Sequence, residues 1–166
     1  VGRLSFTTLL GVDYVDASVQ LSREVAAAAG FPHIRFQARG LCYALAPSLR
    51  LFHSHPQVDN VLELALEGGS ADLVVDKGTL DAIGLAVDGA SARKCYVAAA
   101  ARLLPERGLL VVTSCNSTAE ELLCEITEAG WFAERDRVRT YPVFRFAGVE
   151  GTRVATLAFA RTARPL

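Results

Sequence analysis

The chain has 166 residues, 51% of them hydrophobic and 21% charged, with a mean hydropathy of +0.28. That composition excludes a disordered chain, and one compact domain across residues 1–166 is the expected organisation. Seventeen Lys and Arg against eighteen Asp and Glu leave a formal net charge of -1, which gives no overall attraction to nucleic acid or to an anionic membrane.

The first readable strand is TLLGVD, residues 8–13, short, apolar and closed by an acid. Asp16 or Ser18 then caps a helix to about Ala29, with Val19, Val25 and the alanines on its apolar side, and Gly30 with Pro32 stops it. IRFQ, residues 34–37, reads as the next strand. Residues 38–57 break the rhythm: they contain no acid, show no clean period, and carry prolines at 47 and 56. The stretch is too long for an ordinary connection and reads as an insertion. VDNVLEL, with Asp59 and Asn60, then resumes as if it continued IRFQ.

A Gly68-Gly69-Ser70 turn precedes DLVVD, residues 72–76, a strand ending in Asp76 and followed by Lys77, Gly78 and Thr79. A helix is expected from about Ser91 to Leu104, with Cys95, Val97 or Ala98, Ala101 and Leu104 on its apolar face. GLLVVTS, residues 108–114, is a buried-strand pattern. Ser117 three residues before Glu120 predicts a capping box and a helix from Thr118 to about Ala129. In the last third, WFAERDRVRTYPVFRF and TRVATLAFAR read as two strands of an antiparallel hairpin at the sheet edge. Arg135, Arg137 and Arg139 fit a solvated strand face better than a substrate patch. Strand and helix alternating toward a closing hairpin is a parallel α/β sheet.

Cys42, Cys95, Cys115 and Cys124 contain no C-x-x-C pair and fit buried free thiols better than disulfides or a zinc site. His53 and His55 lack a third ligand nearby and read as a solvated loop, so no metal is expected. No apolar run approaches the roughly 20 residues that cross a bilayer, and no secretory leader opens the chain. A soluble protein of the cytoplasm, with the nucleus as a second location, is the expectation.

In open α/β sheets, ligands sit outside the carboxyl ends of the parallel strands, where Asp13 and Asp76 both fall. An adenosine-type cofactor there needs a glycine-rich loop, a carboxylate for the ribose and polar edges for the adenine. Asp13 fits the second role, or is a solvated turn carboxylate, and Asp59 or Asn60 fits the third. The sequence contains no G-x-G-x-x-G run, which counts against dehydrogenase and P-loop chemistry.

GVDYVDASVQLS, DLVVDKGTLDAIGL, RKCYV and TSCNSTAEELL occur in this order and spacing. With them the chain resembles the S-adenosylmethionine-dependent lysine methyltransferases that modify elongation factor 1-alpha, and within them the lysine methyltransferase 2 type; D-K-G-T-x-D is the strongest of these signatures. The likeness covers nearly everything except residues 38–57. It implies a Rossmann-like class I methyltransferase sheet, with strand order three, two, one, four, five, seven, six and the C-terminal antiparallel hairpin. It also implies S-adenosylmethionine as cofactor and elongation factor 1-alpha as protein substrate, with no membrane or direct nucleic-acid partner.

By the same resemblance, Asp13 and Tyr14 lie on the cofactor's ribose side, and Asn60, standing where relatives carry Asp, faces the adenine beside Asp59. Asp76, Lys77, Gly78 and Thr79 line the methionine end and the incoming lysine. Asp76 there orients the amine; read from the residues alone, it caps the turn's N–H groups equally well. Lys77 fits a solvent-facing or ion-paired residue better than a catalytic one, and Asp81 and Asn116 stand in a second rank, as cap or turn residues. The family's first strand and glycine-rich loop precede the point where this sequence begins. The expectation is therefore a shortened chain with an unpaired edge beside Asp13 and beside Asp76, binding S-adenosylmethionine poorly by itself. The alternative function is an inactive methyltransferase-like fragment serving as an interaction module.

Overall fold

The computed structural model describes residues 8–38, 67–139, 141, 143–146, 149–152 and 154–163. Cys42, His53, His55, Asp59, Asn60 and nearly all of the 38–57 stretch lie outside the described residues. The chain divides into two compact units, Val1–Leu64 and Ala65–Leu166.

In the first unit, β1 (Leu10–Asp13) pairs in parallel with β2 (Arg35–Ala38), and α1 (Asp16–Ala28) makes the crossover between them. Gly11 is required where it stands. A Cβ there would collide with the Phe36 ring of the neighbouring strand. The helix differs from expectation in two respects. Val15 is its N-cap and no side chain caps it, because the Asp13 carboxylate takes the Val15 amide at 2.8 Å and closes the turn from the strand side. The buried face runs through Val19 and Ala26, while Val25 is 58% exposed; a seven-residue step closes on one helical face and a six-residue step does not.

In the second unit, β3 (Leu73–Lys77), β4 (Leu109–Ser114), β8 (Ala155–Arg161) and β5 (Phe132–Arg137) form one sheet in the order β3-β4-β8-β5. The β3 and β4 strands are parallel, with Lys77 opposite Thr113, whereas β8 runs antiparallel to both β4 and β5. Three helices accompany the sheet: α2 (Thr79–Gly84), α3 (Gly89–Leu103) and α4 (Ala119–Thr127). The core is built by alternation. Leu110 and Val112 of β4, Leu157 and Phe159 of β8, Leu80 and Ile83 of α2, and Leu122 and Ile126 of α4 are each at most 1% exposed.

The last third is richer than two strands. The β5 strand ends at Arg137, and β6 (Val143–Phe146) pairs with β7 (Val149–Thr152) as a separate hairpin. The β5 strand pairs with β8 over Phe132–Arg137, with a bulge between Glu134 and Asp136. The β5-β8 pair is antiparallel and closes the sheet as expected, with β5 at the edge and the final strand between β4 and β5. Among the described residues, β1 and β3 each have a strand on one side only, and Val75 of β3 is 66% exposed.

The cysteine expectation is corrected as well. Cys95, Cys115 and Cys124 are free, as read, but exposed and not buried. For Cys95 the helix phase is responsible: α3 buries Ala92, Tyr96, Val97, Ala99, Ala100, Ala101 and Leu103, which turns Cys95 and Ala98 outward. No helix among the described residues is long and apolar enough to cross a membrane.

Candidate functional site

The Asp76-Lys77-Gly78-Thr79 turn joins the carboxyl end of β3 directly to α2. Gly78 makes this abrupt exit possible, with φ at +85°, in the left-handed region where a side chain is penalised. Its amide donates to the Thr113 carbonyl at 3.2 Å, which fixes the turn to the neighbouring strand. Asp76, 3% exposed, then folds back over the helix start and accepts the amides of Thr79 at 2.9 Å and Leu80 at 3.1 Å. Those are two of the amides that a helix N-terminus leaves without an internal partner. The buried Tyr96 hydroxyl donates to the same carboxylate from α3.

Burial pushes the Asp76 carboxyl above its ordinary value, against the opposing pull of the Tyr96 hydroxyl and the two amides, and the nearby Asp81 charge adds to the rise. The Tyr96 phenol is pushed well above its ordinary value, first by burial and then by the Asp76 charge and hydrogen bond. With these three bonds the buried carboxylate is held by the turn, the helix start and α3 together. Lys77 is exposed and Thr79 half-buried on the same turn.

A second cluster sits at the adjacent strand end. Asp81, in the first turn of α2 and 9% exposed, accepts the Ser114 hydroxyl at 2.5 Å and the Cys115 amide at 2.9 Å. The Ser114 oxygen, fully buried, accepts the amides of Asn116 at 3.0 Å and Ser117 at 2.9 Å. Arg93 of α3 reaches the far end of this loop, donating to the Ser117 hydroxyl at 3.3 Å while its guanidinium lies 3.2 Å from Glu125. Burial raises the Glu125 carboxyl and the Arg93 charge opposes the rise. With Ser117 held in this way, the capping box moves one residue along, to Thr118 and Glu121, and α4 starts at Ala119.

Asp13 lies at the carboxyl end of β1, half-exposed, with one oxygen on the Val15 amide; Tyr14 beside it is 56% exposed. These two belong to the Val1–Leu64 unit, and Asp76–Thr79 to Ala65–Leu166. Sequence reasoning missed Tyr96 and Ser114. Tyr96 was legible in the spacing of Ala92, Tyr96, Ala99 and Leu103, a helical face that contains a single polar group. Ser114 carried no signal, because a strand-terminal serine acquires its role only from the residue opposite it.

No protein-family model matches the chain. Over 162 residues it is 32% identical to EEF1A lysine methyltransferase 2 of Homo sapiens, covering 97% of this chain and 59% of that protein. It is also 32% identical over 157 residues to the protein-lysine N-methyltransferase EFM4 of Saccharomyces cerevisiae, covering 92% of this chain and 59% of that protein. The chain thus spans about three fifths of the length of these curated relatives. Among solved structures it superposes on the N-methyltransferase NodS from Bradyrhizobium japonicum with a TM-score of 0.60 at 16% identity, over 94% of this chain and 74% of NodS. A SAM-dependent methyltransferase from Methanosarcina mazei gives 0.63 at 12% identity, over 95% and 83%. The [4+2]-cyclase SpnF gives 0.60 at 12% identity, over 95% and 67%, so the common ground is architecture and not one reaction. The fold is the Rossmann-like class I methyltransferase fold, and β3-β4-β8-β5 corresponds to its strands four, five, seven and six.

Proposed function

We propose that this chain, homologous over nearly its whole length to the EEF1A lysine methyltransferases, forms part of an S-adenosylmethionine-dependent protein-lysine N-methyltransferase acting on elongation factor 1-alpha. The observation that carries the reading is the 32% identity spread across 97% of the chain, against a structural likeness that establishes architecture alone. The cytoplasm, where a translation factor is met, is the proposed location, with the nucleus second.

The donor chemistry fits the cofactor. Asp13 has spent one lone pair, on the Val15 amide, and keeps acceptor capacity for the two ribose hydroxyls. Tyr14 presents an exposed ring beside it, and Asp59 and Asn60 are proposed for the adenine. When bound, S-adenosylmethionine supplies a methyl group on a positively charged sulfur. The chain's own contribution is placement. Asp76 fixes the Lys77–Thr79 turn through the Thr79 and Leu80 amides, and the turn held in this way orients the substrate amine. An amine held in that way keeps its lone pair directed for in-line attack, and apolar surroundings favour its neutral form.

The test is mass spectrometry of elongation factor 1-alpha incubated with isotope-labelled S-adenosylmethionine and the full-length protein. A labelled methyl on a lysine is expected. A folded protein that leaves every lysine unlabelled would overturn the reading in favour of an inactive interaction module.

A further inference from the structure

We propose that Asp81 and Ser114 are a positioning pair that holds the β4 exit loop, Cys115–Ser117, in fixed register with the Lys77–Thr79 turn. Together the two segments form one rigid rim that orients the substrate lysine; this part rests on the function proposed above. Three observations carry the inference. First, Asp81 is not needed to cap its own helix, because Asp76 already accepts the Thr79 and Leu80 amides. Second, Asp81 is buried, and among the described residues its oxygens face no cation, only the Ser114 hydroxyl and the Cys115 amide. A buried carboxylate without a cation is costly unless its hydrogen bonds are complete, and here they tie α2 to a loop more than 30 residues along the chain.

Third, Ser114 is saturated. Its hydroxyl donates to Asp81 and accepts from Asn116 and Ser117, which uses its one proton and both lone pairs. Three consecutive loop amides, at Cys115, Asn116 and Ser117, are therefore organised by two side chains. The strand ends they join are neighbours in register, Lys77 opposite Thr113. Both ends lie at the carboxyl edge of parallel strands, where ligands of such sheets are held.

Asp81→Asn has the same shape with the wrong chemistry: its NH2 group must face either the Ser114 O–H, whose oxygen has no free lone pair, or the Cys115 N–H. Backbone amide exchange and steady-state methyl transfer to elongation factor 1-alpha are measured for the wild type, Asp81→Asn and Ser114→Ala. Ile126→Val, a mild core change in α4, serves as a control for lost stability. Both site variants are expected to speed exchange at Cys115, Asn116 and Ser117 by about tenfold or more. The kcat is expected to fall by about tenfold or more while KM for S-adenosylmethionine stays within about threefold. Ile126→Val keeps kcat. Unchanged exchange at the three amides, or a kcat loss that Ile126→Val reproduces, overturns the proposal. A wild-type protein that transfers no methyl overturns the proposed function and the orienting role with it, while the exchange data still decide whether the clasp exists.

Discussion

At the scale of single residues, the chemistry concentrates in a few polar groups that are buried and fully bonded. Tyr96 is the clearest. Its phenol, pushed well above the ordinary value of 10.0 by burial and by the Asp76 charge, holds its proton in the folded chain at pH values where the unfolded chain releases it. Its contribution to stability is therefore fully present below about pH 10 and is lost as pH rises from there toward the folded value. Tyr96→Phe removes both the hydrogen bond and this sensitivity. Urea unfolding is expected to show a loss of about 1–3 kcal/mol at pH 7, typical of a bond to a charged acceptor, and a flatter decline above pH 10. An alkaline limb as steep as in the wild type would show that Tyr96 does not titrate with unfolding.

At the scale of elements, loops and helix starts are fixed by side chains reaching across strand ends. The α4 terminus shows the division of labour: Ser117 belongs to the β4 exit loop, whereas Thr118 and Glu121 bond reciprocally as the cap. Thr118→Ala is expected to cost about 1 kcal/mol, the usual worth of such a cap. The far-ultraviolet melting curve should shift, with no change in amide exchange at Cys115. Loss of protection at Cys115 in that variant would mean that the cap and the loop are a single structure.

At the scale of the molecule, the Ala65–Leu166 unit is stabilised through its last strand. Phe159, fully buried, lies on β8, between β4 and β5. Phe159→Ala is expected to cost about 3–5 kcal/mol, a large part of the about 5–15 kcal/mol that holds an average domain folded. Equilibrium unfolding in urea would register this as a large drop in midpoint; a change under about 1 kcal/mol would mean that the strand is dispensable.

The sequence by itself determined what is local and periodic. Short apolar runs marked β3 and β4, Ser117 with Glu120 marked the start of α4 to within one residue, and the D-K-G-T turn stood at a strand end. Those features depend on contacts within a few residues, which a linear pattern records. The entry of β8 between β4 and β5 followed the strand order that the resemblance implies, whereas tertiary packing alone turned Tyr96 inward and Cys95 out and brought Asp81 to Ser114. Each of these depends on which distant residue stands opposite and on the helix phase set by packing. A buried hydroxyl or carboxylate acquires its role from the partner that satisfies it, and chain order does not record that partner.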